Sequence, residues 1–168
     1  MPVKQTQAAY PVIDTDPHFS RVIRYMRPSD YLTWAGATAA GPSLFYLYEQ
    51  VDPTKASKAS LRSALRLTGF LGFAAGFMLA YQNSSLRFWG WRENSAEVEK
   101  DQLELSERVK SGKPLYGETE LTPYLQGVSA RNSTFSQLKL HAFPWFNVAN
   151  HNVHGVDTSK YGADKQPS

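Results

Sequence analysis

Two long stretches without a charged side chain constrain this chain of 168 residues more than any other feature. The first lies between Asp30 and Glu49, and the second lies between Arg66 and Arg87. An α-helix rises about 1.5 Å per residue, so these stretches would form helices of roughly 27 and 30 Å. Such lengths match the hydrocarbon core of a bilayer, which is about 30 Å thick. We therefore predict an all-α membrane protein in which two transmembrane helices form a hairpin.

A pair of buried helices in a soluble bundle is the alternative to a membrane hairpin. A soluble helix normally carries polar residues on one face, but residues 67–80 are almost entirely apolar or small. Tyr31 and Trp34 open the first stretch, and Trp89 and Trp91 follow the second. Aromatic residues with a polar edge collect at membrane–water boundaries, so this pattern favours the membrane hairpin.

The hairpin divides the chain into six segments. We expect an N-terminal extended segment with a short surface helix, a first span, a basic connecting loop, a second span, a polar helix, and an extended, mostly irregular arm that contains aromatic residues. In chain order these segments are residues 1–30, 31–48, 49–66, 67–87, 94–111 and 112–168. Gly41 and Pro42 predict a kink or local unwinding in the first span. Asn94 with Glu97 predicts a capping box at the start of the polar helix.

Small residues recur in both spans at the spacing that allows close helix packing. Small residues four positions apart lie on one face and let two helix backbones approach each other in lipid. Glycine is also generally common in membrane spans, which is the alternative explanation. The candidate packing residues are Gly36, Ala37, Ala40, Gly41, Gly69, Gly72 and Gly76.

The sequence offers little catalytic chemistry. It contains no cysteine, which excludes disulfides, thiolate metal ligands and a cysteine nucleophile. His151 and His154 form an H-x-x-H pattern near His141, but metal sites usually add further ligands at defined spacing, so we expect surface or interface histidines. The spans lack the ionisable residues that ion or proton transport usually requires. The net charge of +3 is too small to indicate nucleic-acid binding. We predict no catalytic residue, no metal site and no cofactor of its own.

Four segments of the chain resemble those of a known family. The first is Tyr10–Tyr48, and the others are LRFWGWRENSAEVEKDQLE, GKPLYG and PWFNVANHNVHG, at residues 86–104, 112–117 and 144–155. They occur in the same order as in the family and span nearly the whole chain. The family is the fungal twenty-one-kilodalton accessory subunit of mitochondrial respiratory complex I, the NADH:ubiquinone oxidoreductase.

The resemblance implies a non-catalytic accessory subunit of the membrane arm of complex I that supports assembly and stability. It implies a hetero-oligomer with core and accessory membrane-arm subunits, and a multi-pass protein of the mitochondrial inner membrane. No cleaved presequence is apparent in the first 20 residues, which are not rich in arginine. An independent membrane scaffold or lipid-organising hairpin is one alternative, and a small membrane enzyme that uses the C-terminal histidines is another.

Within such a complex, the small-residue faces would pack against core helices or bound lipid. Basic residues beside the spans are candidates for contacts with phospholipid or cardiolipin headgroups, although plain solvation explains them equally well. These residues are Arg21, Arg24, Arg27, Lys55, Lys58 and Arg62. Aromatic residues are frequent energetic anchors at protein interfaces. The candidate anchors are Trp89, Trp91, Phe143, Trp145, Phe146 and Tyr161.

Overall fold

The computed structural model describes residues 7–135 and 146–162, which form helices joined by turns. No strand occurs in these two ranges, so the predicted all-α class is confirmed there. The chain divides into two compact units, one of Met26–Ser84 and one of Met1–Tyr25 with Ser85–Ser168. The helices are α1 (Phe19–Arg24), α2 (Pro28–Val51), α3 (Lys58–Phe88), α4 (Ser95–Lys110) and α5 (Pro123–Ser133), followed by a 3-10 turn at Ser159–Tyr161.

In the unit Met26–Ser84, α2 and α3 pack as an antiparallel hairpin whose contact depends on glycine. A Cβ atom on Gly41 would lie 2.6 Å from the carbonyl oxygen of Thr68. A Cβ atom on Gly72 would lie 2.7 Å from the carbonyl oxygen of Ala37. Both distances are far below van der Waals contact, so a larger residue at either position would push the two backbones apart.

Trp34 fills the next part of the same contact. Its indole Nε1 donates a hydrogen bond to the carbonyl oxygen of Phe73 at 3.0 Å. The indole ring packs beside the rings of Phe73 and Phe77, with centroid distances of 5.0 and 5.1 Å. Gly76 leaves room for the indole, because a Cβ atom there would lie 2.9 Å from a ring carbon of Trp34.

The predicted packing residues therefore divide into two groups. Gly41, Gly72 and Gly76 lie in the contact between α2 and α3, so they face the chain's own helices rather than another subunit. Ala37 lies beside Gly72 and Gly76 in the same contact, whereas Ala40 is exposed. Gly36 and Gly69 lie outside it, since no heavy atom would come within 4 Å of an added Cβ.

The unwinding predicted at Gly41 and Pro42 is not observed, because α2 continues as a helix through Pro42. Proline has no N–H, so the carbonyl of Thr38 loses its usual helical donor. That carbonyl oxygen would lie 3.0 Å from a Cβ atom on Gly72. The Thr38 carbonyl therefore lies in the close contact between α2 and α3.

The two-span prediction is not confirmed. Among the described helices, α3 alone is long and apolar enough to cross a membrane by length and composition. The uncharged part of α2, residues 31–48, is rich in alanine, glycine and tyrosine and includes Pro42. The two-span prediction used the absence of charge, which indicates a membrane span less strongly than high apolarity does. Both stretches lack charge, so the prediction gave them equal weight.

Helices also extend into the predicted connecting loop and into the predicted C-terminal arm. The loop expected at residues 49–66 is shorter, because α3 begins at Lys58 and residues 58–66 are mostly strong helix formers. The arm expected to be mostly irregular contains α5. Thr122 accepts a hydrogen bond from the N–H of Leu125, and Pro123 occupies the first helical position, which are ordinary helix-start features.

The capping box predicted at Asn94 is wrong. The Asn94 side chain makes no cap hydrogen bond; its Nδ2 donates instead to the carbonyl oxygens of Pro11 at 2.8 Å and Arg87 at 2.7 Å. The carboxylate of Glu93 accepts from the N–H of Ser95 at 2.8 Å and so supplies the helix start. Asn94 therefore joins the N-terminal segment to the end of α3.

Replacing Gly72 with alanine should destabilise the hairpin by about 1–3 kcal/mol, because the methyl group would overpack against the backbone of α2. Thermal unfolding of the detergent-solubilised chain measures the effect. Gly69→Ala is the matched control, since it makes the same change in the same helix where space is open. An equal response of both variants would contradict the packing described here.

Candidate functional site

The N-terminal segment lies along the end of α3 through backbone hydrogen bonds. The carbonyl oxygen of Phe88 accepts from the N–H groups of Ile13 at 2.9 Å and Asp14 at 3.2 Å. The N–H of Tyr10 donates to the carbonyl oxygen of Gly90 at 3.0 Å. Gly90 has φ +70°, and a Cβ atom there would collide with the Tyr10 carbonyl, so the position requires glycine. These contacts fix the backbone that carries the Asp14 side chain.

Arg21 of α1 is buried between two carboxylates. Its guanidinium donates to Asp14 Oδ2 at 2.8 Å and, through the other terminal nitrogen, to the carboxylate of Asp101 on α4. Arg21 is only 6% exposed. Its central carbon lies 5.6 Å from the ring centroid of Tyr25 and 5.5 Å from that of Phe88. Because a buried charge is costly unless it is paired, this arginine joins the N-terminal segment, α1 and α4.

His154 brings the C-terminal segment to the same carboxylate. Its Nδ1 lies 2.8 Å from Asp14 Oδ1, and its Nε2 lies 2.7 Å from the carbonyl oxygen of His151. The imidazole stacks on the ring of Tyr116 with centroids 3.6 Å apart. Thr15 strengthens the attachment, because its hydroxyl donates to the His154 carbonyl oxygen at 2.7 Å.

His151 forms a second, parallel pair with Asp16. Its Nε2 lies 2.7 Å from Asp16 Oδ2, and its Nδ1 accepts the N–H of Val153 at 3.2 Å. The hydroxyl of Ser133, at the end of α5, donates to the same Asp16 oxygen. Asn147 also reaches this segment, with its Nδ2 donating to the Asp16 carbonyl oxygen at 3.2 Å. The histidines predicted to lie at a surface or an interface are therefore buried within the chain's own fold.

The 3-10 turn attaches the described end of the chain to α4. The phenol of Tyr161 donates to the carboxylate of Asp101, and Gln102 Nε2 donates to the carbonyl oxygen of Lys160 at 2.9 Å. Asp101 is therefore shared by Arg21 and Tyr161. We call the whole set the Asp–Arg–His network; its members are Asp14, Asp16, Arg21, Asp101, His151 and His154.

The two histidines meet different hydrogen-bond partners. The ring nitrogens of His154 lie close to two oxygen atoms, one of the Asp14 carboxylate and one of the His151 carbonyl. The Nδ1 of His151 accepts a backbone N–H, so the proton resides on Nε2 and the ring is neutral. Arg21 thus pairs with both Asp14 and Asp101, and His154 also contacts Asp14.

The two carboxylates that bind Arg21 shift in opposite directions. Burial raises the pKa of Asp14, but His154 and Arg21 together outweigh it, and the pKa lies below its usual range. Burial keeps the pKa of Asp101 above its usual range, since Arg21 offsets the desolvation only in part. The direct contact of Asp14 with His154 as well as Arg21 explains the difference. Burial also raises the pKa of Tyr161, which keeps its phenol a neutral donor.

The contacts of the network join segments of the chain that are distant in sequence. Ser133 donates to Asp16 rather than to a histidine, so the histidine is not placed to activate it as a nucleophile. No group of three or more metal-ligating side chains suited to an ion occurs within residues 7–135 and 146–162. The geometry supports a structural role, in which the Asp–Arg–His network connects the N-terminal segment, the C-terminal segment and α4.

The basic residues proposed to contact lipid fall into different environments. Arg21 belongs to the buried network and is not available to a headgroup. Arg24 pairs with Glu104 at 2.8 Å, with about half of its side chain exposed. Arg27 lies at the start of α2, where its N–H donates to Asp30 at 2.8 Å. The three basic residues of the connection between α2 and α3 are exposed, namely Lys55, Lys58 and Arg62.

The predicted interface anchors pack largely within the chain itself. Trp89 is 4% exposed and meets the ring of Phe135 at a centroid distance of 5.4 Å. Phe146 meets the ring of Phe19 edge-on at 5.3 Å. Tyr161 is buried against Asp101, whereas Trp91 is 39% exposed. Phe143 and Trp145 lie outside the described residues, as does His141.

Sequence reasoning missed the acidic members of the network. Asp14 and Asp16 form a D-x-D pattern, and His151 with His154 forms H-x-x-H. Matching the two patterns would have suggested two parallel pairs, but the partners are separated by 135 and 140 positions in sequence. Asp101 sits in the helix that was predicted to be polar, and this helix buries Glu97 and Asp101.

His154→Phe should destabilise the fold by about 3–5 kcal/mol, because the ring still stacks on Tyr116 while the buried Asp14 carboxylate loses its partner. Thermal unfolding and the rate of proteolysis after residue 146 measure the loss. His18→Phe is the control, since the His18 ring makes local hydrogen bonds to Ser20 at a helix start. That cap should contribute only about 1 kcal/mol. Equal losses in the two variants would refute the role given to His154.

The lowered pKa of Asp14 predicts loss of stability in acid. A carboxyl whose folded pKa lies below its unfolded value, about 3.9, stabilises the fold above that value. The contribution disappears as the pH falls through the lowered pKa. Asp14→Asn should therefore flatten the decline in unfolding free energy below about pH 4.

Asp101→Asn should act with the opposite sign. A raised folded pKa contributes stability that is lost as the pH rises through it. Denaturant titrations between about pH 3 and 7 test both variants. Parallel curves for the two variants would contradict the assignment.

Two family models match the chain. One describes the 21 kDa subunit of NADH-ubiquinone oxidoreductase complex I and matches residues 7–93, and the other describes the C-terminal part of that subunit and matches residues 102–167. The chain is also 49% identical over 158 residues to the NADH-ubiquinone oxidoreductase 20.9 kDa subunit of Neurospora crassa, which covers 94% of this chain and 84% of that protein. The Asp–Arg–His network joins both matched regions, because Asp14 lies in the first and His154 in the second. The resemblance predicted from the sequence is thus confirmed: the chain belongs to the family of the 21 kDa subunit of NADH-ubiquinone oxidoreductase complex I.

Proposed function

We propose that this chain is a non-catalytic accessory subunit of the membrane arm of complex I that supports assembly and stability of the oxidoreductase. Its family membership supports a mitochondrial location and association with other complex I subunits. The observation that carries the rest of the proposal is the apolar exterior of the hairpin formed by α2 and α3. The protein is proposed to hold no flavin, iron–sulfur cluster or quinone.

Large apolar side chains are exposed on both helices of the hairpin. Contiguous apolar patches of this kind are rare on soluble monomers and mark membrane or protein contacts. Only 11% of the apolar 18-residue stretch of α3 is buried within the chain. Residues 31–48 of α2 carry no charge, so insertion of α2 beside α3 would bury no ion in lipid. The exposed residues are Leu32, Leu44, Leu47, Val51, Leu67, Phe70, Leu71, Phe73 and Leu79.

These features support a two-span hairpin in the mitochondrial inner membrane. The hydrogen bond from Trp34 to the Phe73 carbonyl and the glycine contacts would hold α2 against α3 in lipid, where packing drives helix association. The exposed Lys55, Lys58 and Arg62 lie together at the connection between the helices. Basic residues at such a position attract anionic headgroups, so they are the proposed contacts with phospholipid or cardiolipin.

Deleting the subunit should lower the amount of assembled complex I without removing its redox centres. Blue-native gels of detergent-solubilised mitochondria measure the assembled complex, and NADH oxidation per remaining complex reports the catalytic core. Re-expression of the intact chain should restore the amount of complex. A normal amount of complex in the deletion strain, or migration of this chain only as a separate homo-oligomer, would overturn the proposal in favour of an independent scaffold.

Alkaline carbonate tests the membrane insertion separately. The chain should remain in the membrane pellet after carbonate extraction, because two apolar helices in lipid are not released by high pH. A peripheral matrix subunit serves as the control that is released. Release of this chain into the supernatant would eliminate the hairpin insertion and leave membership of the complex unaffected.

A further inference from the structure

The outer face of α4 and the N-terminal segment together form an open apolar groove. We propose that this groove binds a segment of a neighbouring complex I subunit that presents an apolar side chain flanked by lysine or arginine. The inference rests on membership of the complex and not on the proposed membrane insertion. It concerns the unit that contains both ends of the chain.

The groove has the size and the apolar character of a side-chain docking site. Its volume is about 680 Å³, and its apolar walls come from Tyr10, Pro11, Val98 and Leu103. Leu103 is 67% exposed and Tyr10 is 44% exposed. A single exposed leucine needs no explanation, but here it belongs to a continuous concave surface. Such surfaces take the apolar anchors that dominate binding energy at interfaces.

The surface continues along the helix beyond this groove. A second depression of about 440 Å³ on α4 has six lining residues, Lys100 and Glu104 among them; the other four are Ala96, Glu99, Leu103 and Glu107. These four positions are three or four residues apart, so they lie on one face of the helix. They extend over roughly 16 Å of helix axis, enough for about three turns of a partner helix or a short extended segment.

The charge around the apolar centre is negative. The side chains of Glu99 and Glu107 are exposed, and within the described residues neither forms an ion pair. Lys100 also lines the second depression, but its Nζ is directed to the Arg24 carbonyl oxygen at 2.8 Å and lies 4.2 Å from the ring centroid of Tyr25, so it forms no ion pair with either glutamate. An acidic surface on a chain of net charge +3 is a local feature rather than a consequence of composition.

Charge complementarity identifies the occupant. A segment with lysine or arginine beside an apolar anchor would pair its cations with Glu99 and Glu107 while the anchor fills the groove beside Leu103. A second copy of this face would oppose carboxylates to carboxylates, and an anionic lipid headgroup would meet the same repulsion. The surface therefore fits a basic segment of a different subunit.

Photo-crosslinking in the intact complex tests the inference. A benzophenone amino acid replaces Leu103, or Tyr124 of α5 as an equally exposed control position. We expect a single adduct from position 103 with one complex I subunit, whose mapped peptide has an apolar residue within about four positions of a lysine or arginine. Adducts to lipid, to a second copy of this chain, or in no greater yield than at position 124 would each overturn the proposal.

Charge reversal supplies the second arm of the test. Glu99→Lys with Glu107→Lys should reduce the adduct from position 103 at least about tenfold, because the cations of the partner would then be repelled. Glu118→Lys with Glu120→Lys is the matched control, since both residues are exposed but lie outside the groove. An unchanged adduct in the first variant would refute the charge complementarity. Comigration of the unmodified chain with complex I on native gels is measured separately, so loss of membership is distinguishable from loss of this contact.

Discussion

The buried pairing of Arg21 with Asp14 and Asp101 is the interaction on which the rest of this unit depends. The N-terminal segment, α1 and the sequence-distant α4 each contribute one of these charges, and none could be buried without the others. Removing charges from water costs several kcal/mol per ion, so such a network is weak evidence for stability as such. The consequence of the network is that it favours one arrangement of these segments over others. Any arrangement that separates the N-terminal segment, α1 or α4 leaves an uncompensated charge in the interior, and His154 extends this requirement to the C-terminal segment.

The hairpin depends on the opposite kind of constraint, the absence of side chains. Gly41, Gly72 and Gly76 let backbone carbonyls of one helix approach the other helix, so van der Waals contact and one indole hydrogen bond hold the pair without a polar core. That solution suits an apolar environment, where the hydrophobic effect gives no force between helices. The two units of the chain therefore obey different rules, charge compensation in one and close backbone packing in the other.

The sequence predicted the close packing of the helices better than it predicted the buried charge network. Uncharged stretches and small-residue spacing are local signals, so they predicted two long helices and included the glycines that form their contact. The partners of His151 and His154 lie 135 and 140 positions away, and no local period connects them. The acidic face of α4 was misleading for a related reason, since a carboxylate that pairs with a buried arginine has the same sequence pattern as one that faces water. The start of α5 could have been predicted from the sequence, because Thr122 and Pro123 are a recognisable helix start.

Helix α4 carries buried charges on one face and exposed charges on the other, and the buried contacts fix the orientation of the exposed face. On its inner face Glu97 pairs with Arg87 at 3.0 Å, and Asp101 and Leu105 are buried at the following turns. These contacts fix the rotation of the helix about its axis, because turning it would expose Leu105 and separate two ion pairs. The outer face is then presented in a defined orientation, with Leu103 between Glu99 and Glu107. A surface that is already in place favours binding, since little conformational entropy is lost when a partner binds to it.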